Sequence, residues 1–238
     1  MSIFELFNIP TKAQADRRIF VKDILSRLEL NSRDKQSIEK TISTIHVKGV
    51  LNESTSNIWS YVDDIYYYKE IIVFNVVLKD SAKIAFVNEQ LHKVFPNPIV
   101  IFYEFGNKYA ISTALKRLNK LEKGKTVIEE IQLSDFFELD DKHVQLLNKH
   151  SYDFSNLKSY YEGLNNLVAT EELVDLTGAV PEIVDETAKA KSTKIKQLLK
   201  QKKELEEAYK EADSMQERMT IHMKIKNIEK ELERYKWN

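Results

Sequence analysis

Hydrophobic and polar positions divide the chain into a middle part with strand-like patterns and a C-terminal part with helical patterns. The most apolar run covers residues 71–78, and nearly continuous apolar character is typical of a strand covered on both faces. Strand-like composition extends back to residue 65. Apolar spacings of three and four residues then predict a helix over 81–94, which Pro96 and Pro98 end.

Two strands joined by a tight turn follow this helix. Residues 99–105 and 108–115 are rich in strand-forming side chains, and Gly106 and Asn107 between them favour a hairpin. The middle of the chain is therefore predicted to have β-α-β-β order. Residues 44–51 and 126–133 predict further strands, whereas the polar stretches 52–57 and 116–125 predict loops.

Helical patterns flank this middle part. An apolar leader, residues 3–9, ends at Pro10 and is expected to pack on the body as an extended or single-turn segment. Residues 12–28 and 33–43 predict helices, the second capped by Asn31 or Ser32. Amphipathic patterns predict two more helices within 135–149 and 156–168.

The C-terminal residues 187–238 contain no Gly or Pro and are almost half charged. Ser214 and Glu217 form an S-x-x-E capping pattern between two apolar seams, which favours two helices over one rod. Each arm would be about 36 Å long; an intrachain hairpin and a dimeric coiled coil both stay open. The seams are Ile195, Leu198, Leu199, Leu205, Tyr209 and Ala212, and Met215, Met219, Ile225, Ile228, Leu232 and Tyr235.

The combined pattern predicts an α+β fold. It has a small mixed sheet with a β-α-β-β core, flanking helices, and a C-terminal antiparallel helical hairpin of coiled-coil type. We expect an α+β body with N-terminal helices over residues 1–175, an acidic hinge over 176–188 and a charged helical hairpin over 189–238.

Composition removes several classes of chemistry. The chain has no Cys, which excludes disulfides, thiolate metal sites and cysteine nucleophiles, and this fits a reducing compartment. No secretory signal and no apolar run of membrane-spanning length is present, so a cytoplasmic protein without membrane contact is expected. The five Gly residues form none of the phosphate-binding loops, and no cofactor is expected.

Acidic residues near the predicted strand ends provide the one candidate for catalysis. Asp64, Glu70 and Glu104 could form the carboxylate cluster of a divergent metal-dependent nuclease. Such sites normally also need an E-x-K pattern within the strand, and the apolar run has none. We therefore favour the interpretation that these carboxylates are solvated residues at strand ends over the interpretation that they form a nuclease site. The His residues show no helical i, i+4 pair, so no metal site is predicted.

Charge is unevenly distributed along the chain. Residues 187–238 carry 14 Lys or Arg and 9 Asp or Glu, net +5, while residues 1–186 are net −6. Two basic groups could bind phosphates or a partner, although a solvated hairpin face docked on the acidic body is the more economical interpretation. The first group is Lys189, Lys191, Lys194, Lys196, Lys200, Lys202 and Lys203; the second is Lys116, Arg117, Lys120, Lys123 and Lys125.

Five segments together are similar to a known family. They are residues 6–10 (LFNIP), the Arg17-Arg18-Ile19 stretch, the strand 71–78, the hairpin 102–109 (FYEFGNKY) and the Lys- and Glu-rich region 195–232. In their order and composition they resemble a bacterial family, the domain-of-unknown-function family 4391. None of these similar segments contains a catalytic motif. Members often have an acidic residue and a Lys in the central strand, near the places where this chain has Asn75 and Val77.

The resemblance implies a genomic context. Members are commonly found beside genes for DEAD/DEAH helicases and DNA methyltransferases, in restriction-like and anti-phage islands. We therefore expect a non-catalytic accessory or adaptor subunit that docks on a helicase, ATPase or methyltransferase subunit. A metal-dependent nuclease-like domain, a nonspecific DNA-binding adaptor and a homo-oligomer formed through the C-terminal hairpin are the alternatives.

Overall fold

A computed structural model describes residues 3–7, 9–122, 124–149, 152–178, 180–181, 184, 187–212 and 214–236. A seven-stranded sheet with helices on both faces forms the body. The helices are α1 (Ile3–Phe7), α2 (Val21–Leu25), α3 (Ser32–Thr41), α4 (Glu53–Ser56), α5 (Ile84–Val94), α6 (Asp141–Lys149), α7 (Leu157–Thr177), α8 (Thr187–Glu211) and α9 (Met215–Lys236), with a 3-10 turn at Thr11–Ala13.

The strands are β1 (Gln14–Ile19), β2 (Ile42–Asn52), β3 (Tyr61–Val62), β4 (Tyr67–Tyr68), β5 (Glu70–Leu78), β6 (Ile99–Phe105), β7 (Lys108–Leu118), β8 (Thr126–Leu133) and β9 (Phe137–Glu138). The main sheet has the order β1-β2-β5-β6-β7-β8, and β9 pairs with β7. β5 and β6 are parallel and are joined by α5, whereas the other neighbours in this sheet are antiparallel. The predicted β-α-β-β core and mixed sheet are confirmed.

Alternate side chains of β5 belong to two separate hydrophobic cores on opposite faces of the sheet. Ile71 and Val73 face the side covered by α1, α6 and α7. Val76 and Leu78 belong to the second core, with Val87 of α5 and residues of α2 and α3. All four β5 side chains are at most 5% exposed, so the apolar run is covered on both faces, as its composition predicted.

The largest error in the sequence-based assignment lies near the N-terminus. The predicted helix 12–28 is instead a 3-10 turn, the edge strand β1 and the short helix α2. β1 pairs with β2, with Arg17 opposite Val47 and Ile19 opposite Ile45. Since β2 offers a free row of backbone hydrogen-bonding groups, pairing outweighs the helical preference of the Ala- and Arg-bearing sequence.

Other boundaries also differ from prediction. β7 continues to Leu118 into the predicted loop 116–125, and α4 forms one helical turn within the predicted loop 52–57. Asn31 caps α3 by accepting a hydrogen bond from the Asp34 backbone N–H at 2.9 Å, as expected. α7 runs on to Thr177, where Gly178 ends it at a φ of +72°, the left-handed conformation that glycine adopts readily.

The two C-terminal helices lie in close contact and form the predicted hairpin. Lys194 pairs with Glu231 at 3.5 Å and Tyr209 lies near His222, which is the antiparallel arrangement. The hairpin joins the body where α8 packs on α7, through Ile195 and Leu173. The domain boundaries stay predictions. Among the described residues, no helix combines the length and apolarity needed to cross a membrane.

Candidate functional site

The candidate catalytic carboxylates lie at different places in the fold. Glu70 begins β5, whereas Glu104 lies near the end of β6, opposite Val77 of the parallel β5. Seven residues of strand therefore separate them, about 23 Å. Asp64 is exposed in the connection between β3 and β4, and the Glu70 carboxylate accepts a hydrogen bond from Asn97 Nδ2 at 2.6 Å. The structure does not bring these three carboxylates together as a nuclease site requires.

The described part of the chain contains no group of three His, Asp or Glu side chains placed to hold a metal ion. Of the predicted basic groups, Lys123 lies outside the described residues, as does the side chain of Lys189. The remaining predicted binding residues lie on β7, in the loop that follows β7, and on α8.

Lys116 is buried rather than presented to solvent. Its side chain turns under the connection that follows α5, and the Nζ donates hydrogen bonds to the carbonyl oxygens of Phe95 at 2.6 Å and Asn97 at 3.0 Å. Lys116 is 3% exposed, and burial lowers its pKa to about 7. The expectation that Lys116 belongs to a solvent-facing basic group is wrong, because β7 extends through this residue.

The neighbours of Lys116 differ in accessibility. The Arg117 guanidinium Nε lies 3.4 Å from a Glu129 carboxylate oxygen on the adjacent strand β8, which partly neutralises its charge. Lys120 is exposed just beyond β7. The second basic group therefore does not act as one continuous positive surface.

Three of the predicted α8 lysines pair with acids of the hairpin. Lys202 pairs with Glu229 at 2.9 Å and with Glu206 at 3.7 Å, and Lys194 pairs with Glu231 of α9. Lys200 lies 4.0 Å from Glu204, Lys191 is half-buried, and Lys196 and Lys203 are exposed. Because exposed ion pairs reduce the field available to a phosphate backbone, this geometry fits a solvated hairpin better than a nucleic-acid groove.

Helix α9 also presents an exposed apolar surface that the sequence did not lead us to predict. Met215, Met219 and Met223 follow each other every four residues on α9 and are 82%, 66% and 64% exposed. We call these three residues the methionine stripe. The prediction that Met215 and Met219 belong to the hairpin seam is wrong.

The seam of α9 lies on its opposite face. Ile225 is buried, and Ile221, Ile228, Leu232 and Tyr235 are half-buried. At 3.6 residues per turn, the methionine stripe is rotated by roughly half a turn from this row. The pattern was visible in the sequence, since α9 contains two apolar rows and a two-helix hairpin needs only one.

Two buried histidines give the body its polar centres. His92 Nε2 lies 3.0 Å from Ser112 Oγ, which itself donates to the Gln132 carbonyl oxygen. Burial, together with the charge of Lys116, holds the pKa of His92 well below its usual value. These groups are enclosed by α5 and the sheet, and His92 Nδ1 is buried there with no hydrogen-bond partner among the described residues.

His143 of α6 lies between two carboxylates. Its Nδ1 is 2.6 Å from Asp140 and its Nε2 is 3.3 Å from Glu171 of α7, while the ring stacks on Phe137 at 4.3 Å. Burial opposes the charged imidazolium, but the contacts with both carboxylates outweigh it and raise the pKa of His143. This arrangement ties α6 to α7 by charge.

Comparison with known proteins yields one family and no individual relative. No curated protein and no solved structure matches the chain. A family model, described as a domain of unknown function (DUF4391), matches residues 7–232, nearly the whole chain. The chain therefore belongs to the DUF4391 family.

Proposed function

We propose that this protein is a non-catalytic accessory subunit of a multi-protein DNA-processing system, of the anti-phage or restriction-like kind, and that it docks on a helicase-type partner through α9. The single observation that carries the docking role is the methionine stripe, three large apolar side chains exposed in one row. The type of partner rests on the genomic context that the family resemblance implies.

Exposed methionines in a row are unusual for a helix already packed on another. Fully burying one such side chain is worth about 1.5–3 kcal/mol, so covering all three contributes several kcal/mol to association. Methionine is flexible and polarisable and adapts to the surface it meets. A stripe of this kind favours a protein partner, since contiguous exposed apolar surface marks interaction sites.

The nuclease and DNA-binding alternatives receive less support from the geometry. A nuclease would need carboxylates held a few ångströms apart around a cation, and Glu70 and Glu104 lie toward opposite ends of the adjacent strands β5 and β6. A DNA-binding adaptor would use the predicted lysines of α8, of which Lys194 and Lys202 are engaged with acids of the hairpin. Neither is carried by a specific observation.

The test is affinity purification of the tagged full chain from its native host in mild salt, with mass spectrometry of what is retained. We expect a helicase, ATPase or methyltransferase subunit in near-stoichiometric amount. In a Met219→Glu, Met223→Glu variant this subunit should be lost, because two carboxylates would have to be buried in an apolar contact.

The matched control is a Thr220→Glu, Asn227→Glu variant. It adds the same charge to two exposed positions of α9 away from the stripe, and it should retain the subunit. Circular dichroism of both variants should equal that of the wild type. Recovery of the protein alone, or equal retention by both variants, would overturn the docking role of α9.

A further inference from the structure

The exposed row that begins with the methionine stripe continues into positive charge. Lys226 and Lys230 follow Met223 at spacings of three and four, and both are exposed. We call Met215, Met219, Met223, Lys226 and Lys230 the outer stripe. It spans about 22 Å at 1.5 Å per residue. Its spacings of three and four are those of a helix face that meets another helix along its length.

The two lysines at its end keep most of their charge for a partner. Lys226 reaches Glu229 only at 3.8 Å, and Glu229 is engaged by Lys202 at 2.9 Å. Lys230 forms no ion pair with any residue of the described chain. The outer stripe is therefore apolar near the start of α9 and carries two lysines beyond Met223, after which the exposed Glu233 follows on the same face.

We infer that the occupant of the outer stripe is an amphipathic helix of another protein, with apolar residues against the methionines and acidic residues against Lys226 and Lys230. The inference rests on the proposed function and names the chemistry of the docked segment. A nucleic acid would match only the lysines, because methionine offers a phosphate no hydrogen bond.

A second copy of the chain fits the outer stripe poorly. In a parallel pairing, Lys226 and Lys230 would face their own counterparts, and like charges at such positions are destabilising. In an antiparallel pairing centred on Met219, both lysines would extend beyond Met215, the first residue of α9 in the second copy, and would face no residue of that helix. This antiparallel arrangement places no acidic side chain of α9 against them.

The first experiment is photo-crosslinking in the native host, with benzoylphenylalanine in place of Met219 in the full chain. We expect a crosslink to another protein, and the crosslinked peptide should be helical and contain at least two acidic residues. The probe at Thr220, exposed but away from the stripe, should give no such product.

The second experiment reverses charge. A Lys226→Glu, Lys230→Glu variant should lower affinity for the crosslinked segment, prepared as a synthetic peptide, by about tenfold or more. A peptide with its acidic residues changed to Lys should bind this variant better than the wild type. Lys203→Glu, Lys224→Glu, which changes two other exposed lysines of the hairpin, should leave the affinity nearly unchanged.

The outcomes separate this inference from the docking role. A crosslink to a partner segment without acidic residues, or affinity unaffected by the Lys226 and Lys230 changes, would overturn the acidic-helix inference and leave the docking role standing. A crosslink to a second copy or to nucleic acid would overturn the inference and the docking role together. Absence of any crosslink at Met219 would also overturn both.

Discussion

The buried amino group of Lys116 makes folding depend on pH. Its pKa is about 7 in the folded chain and near 10.5 when exposed. Between these values the unfolded chain binds a proton that the folded chain does not, so stability rises with pH. From about pH 7 to pH 9 this single group should add about 2 kcal/mol to the free energy of unfolding.

Replacing Lys116 by Met should remove that rise. Urea unfolding at both pH values measures how the free energy of unfolding changes with pH in wild type and in Lys116→Met. The contributions of all other titrating groups cancel in the difference between the two proteins. Lys120→Met is the control, because Lys120 is exposed and its replacement should leave the slope unchanged. Equal pH slopes in wild type and Lys116→Met would contradict the buried, neutral state of this amine.

The pKa values of the two buried histidines should be shifted in opposite directions from that of an ordinary histidine. Nuclear magnetic resonance should show the pKa of His143 above 6.5 and that of His92 well below it. Asp140→Asn should lower the pKa of His143 and leave that of His92 in place. His143 therefore stabilises the fold below its ordinary pKa, and this contribution is lost as the pH rises through the raised value.

Burial of these residues could not be predicted from local sequence. Lys116 stands in a run of basic and polar residues that looks like a loop. What buries it is the connection at Phe95 and Asn97, about twenty residues earlier in the chain. His143 likewise depends on Glu171 of a different helix. Each contact is a tertiary event without a local pattern.

At the scale of elements, the start of α9 is fixed by a cap that the sequence predicted. The Glu217 backbone N–H donates to Ser214 Oγ at 3.1 Å. Ser214→Ala should lower the stability of the hairpin by about 1 kcal/mol, since one N–H of the first turn loses its acceptor. Far-ultraviolet circular dichroism during urea unfolding measures this loss.

Ser214→Asp is the informative control, because aspartate also accepts a hydrogen bond at this position and its charge favours a helix start. Its stability should equal or exceed that of the wild type. If Ser214→Asp were destabilised as much as Ser214→Ala, the cap would not be the cause. Faster amide exchange at Glu217 in Ser214→Ala alone would locate the effect.

Elements with strong periodicity were predicted well, and edge elements were not. β5, α5, β6 and β7 follow from apolar patterns that need no knowledge of neighbours. β1 is a strand only because β2 lies beside it, since its own sequence is polar and mostly exposed. The methionine stripe was misassigned for a related reason, because sequence periodicity gives two rows and does not say which one faces α8.

At the scale of the whole molecule, the hairpin is attached to the body by a small apolar cluster. Ile195 of α8 and Leu173 of α7 are its buried members, with Leu176, Leu232 and Tyr235 half-buried around them. The sheet has two much larger cores. Local stability follows the amount of buried apolar contact, so the hairpin should open more readily than the sheet.

Ile195→Ala should therefore loosen the hairpin and spare the body. Removing a buried isoleucine side chain costs about 2–5 kcal/mol where the site does not collapse, and this small cluster should lie toward the lower value. Native-state hydrogen exchange should become faster throughout α8 and α9, while the amides of β5 and β6 keep their wild-type rates.

Leu199→Ala, at a neighbouring α8 position that is 40% exposed, should leave the exchange rates of both the hairpin and the strands unchanged. If β5 and the hairpin accelerated together after Ile195→Ala, they would form one cooperative unit, and the hinge predicted at residues 176–188 would not separate two independently opening parts.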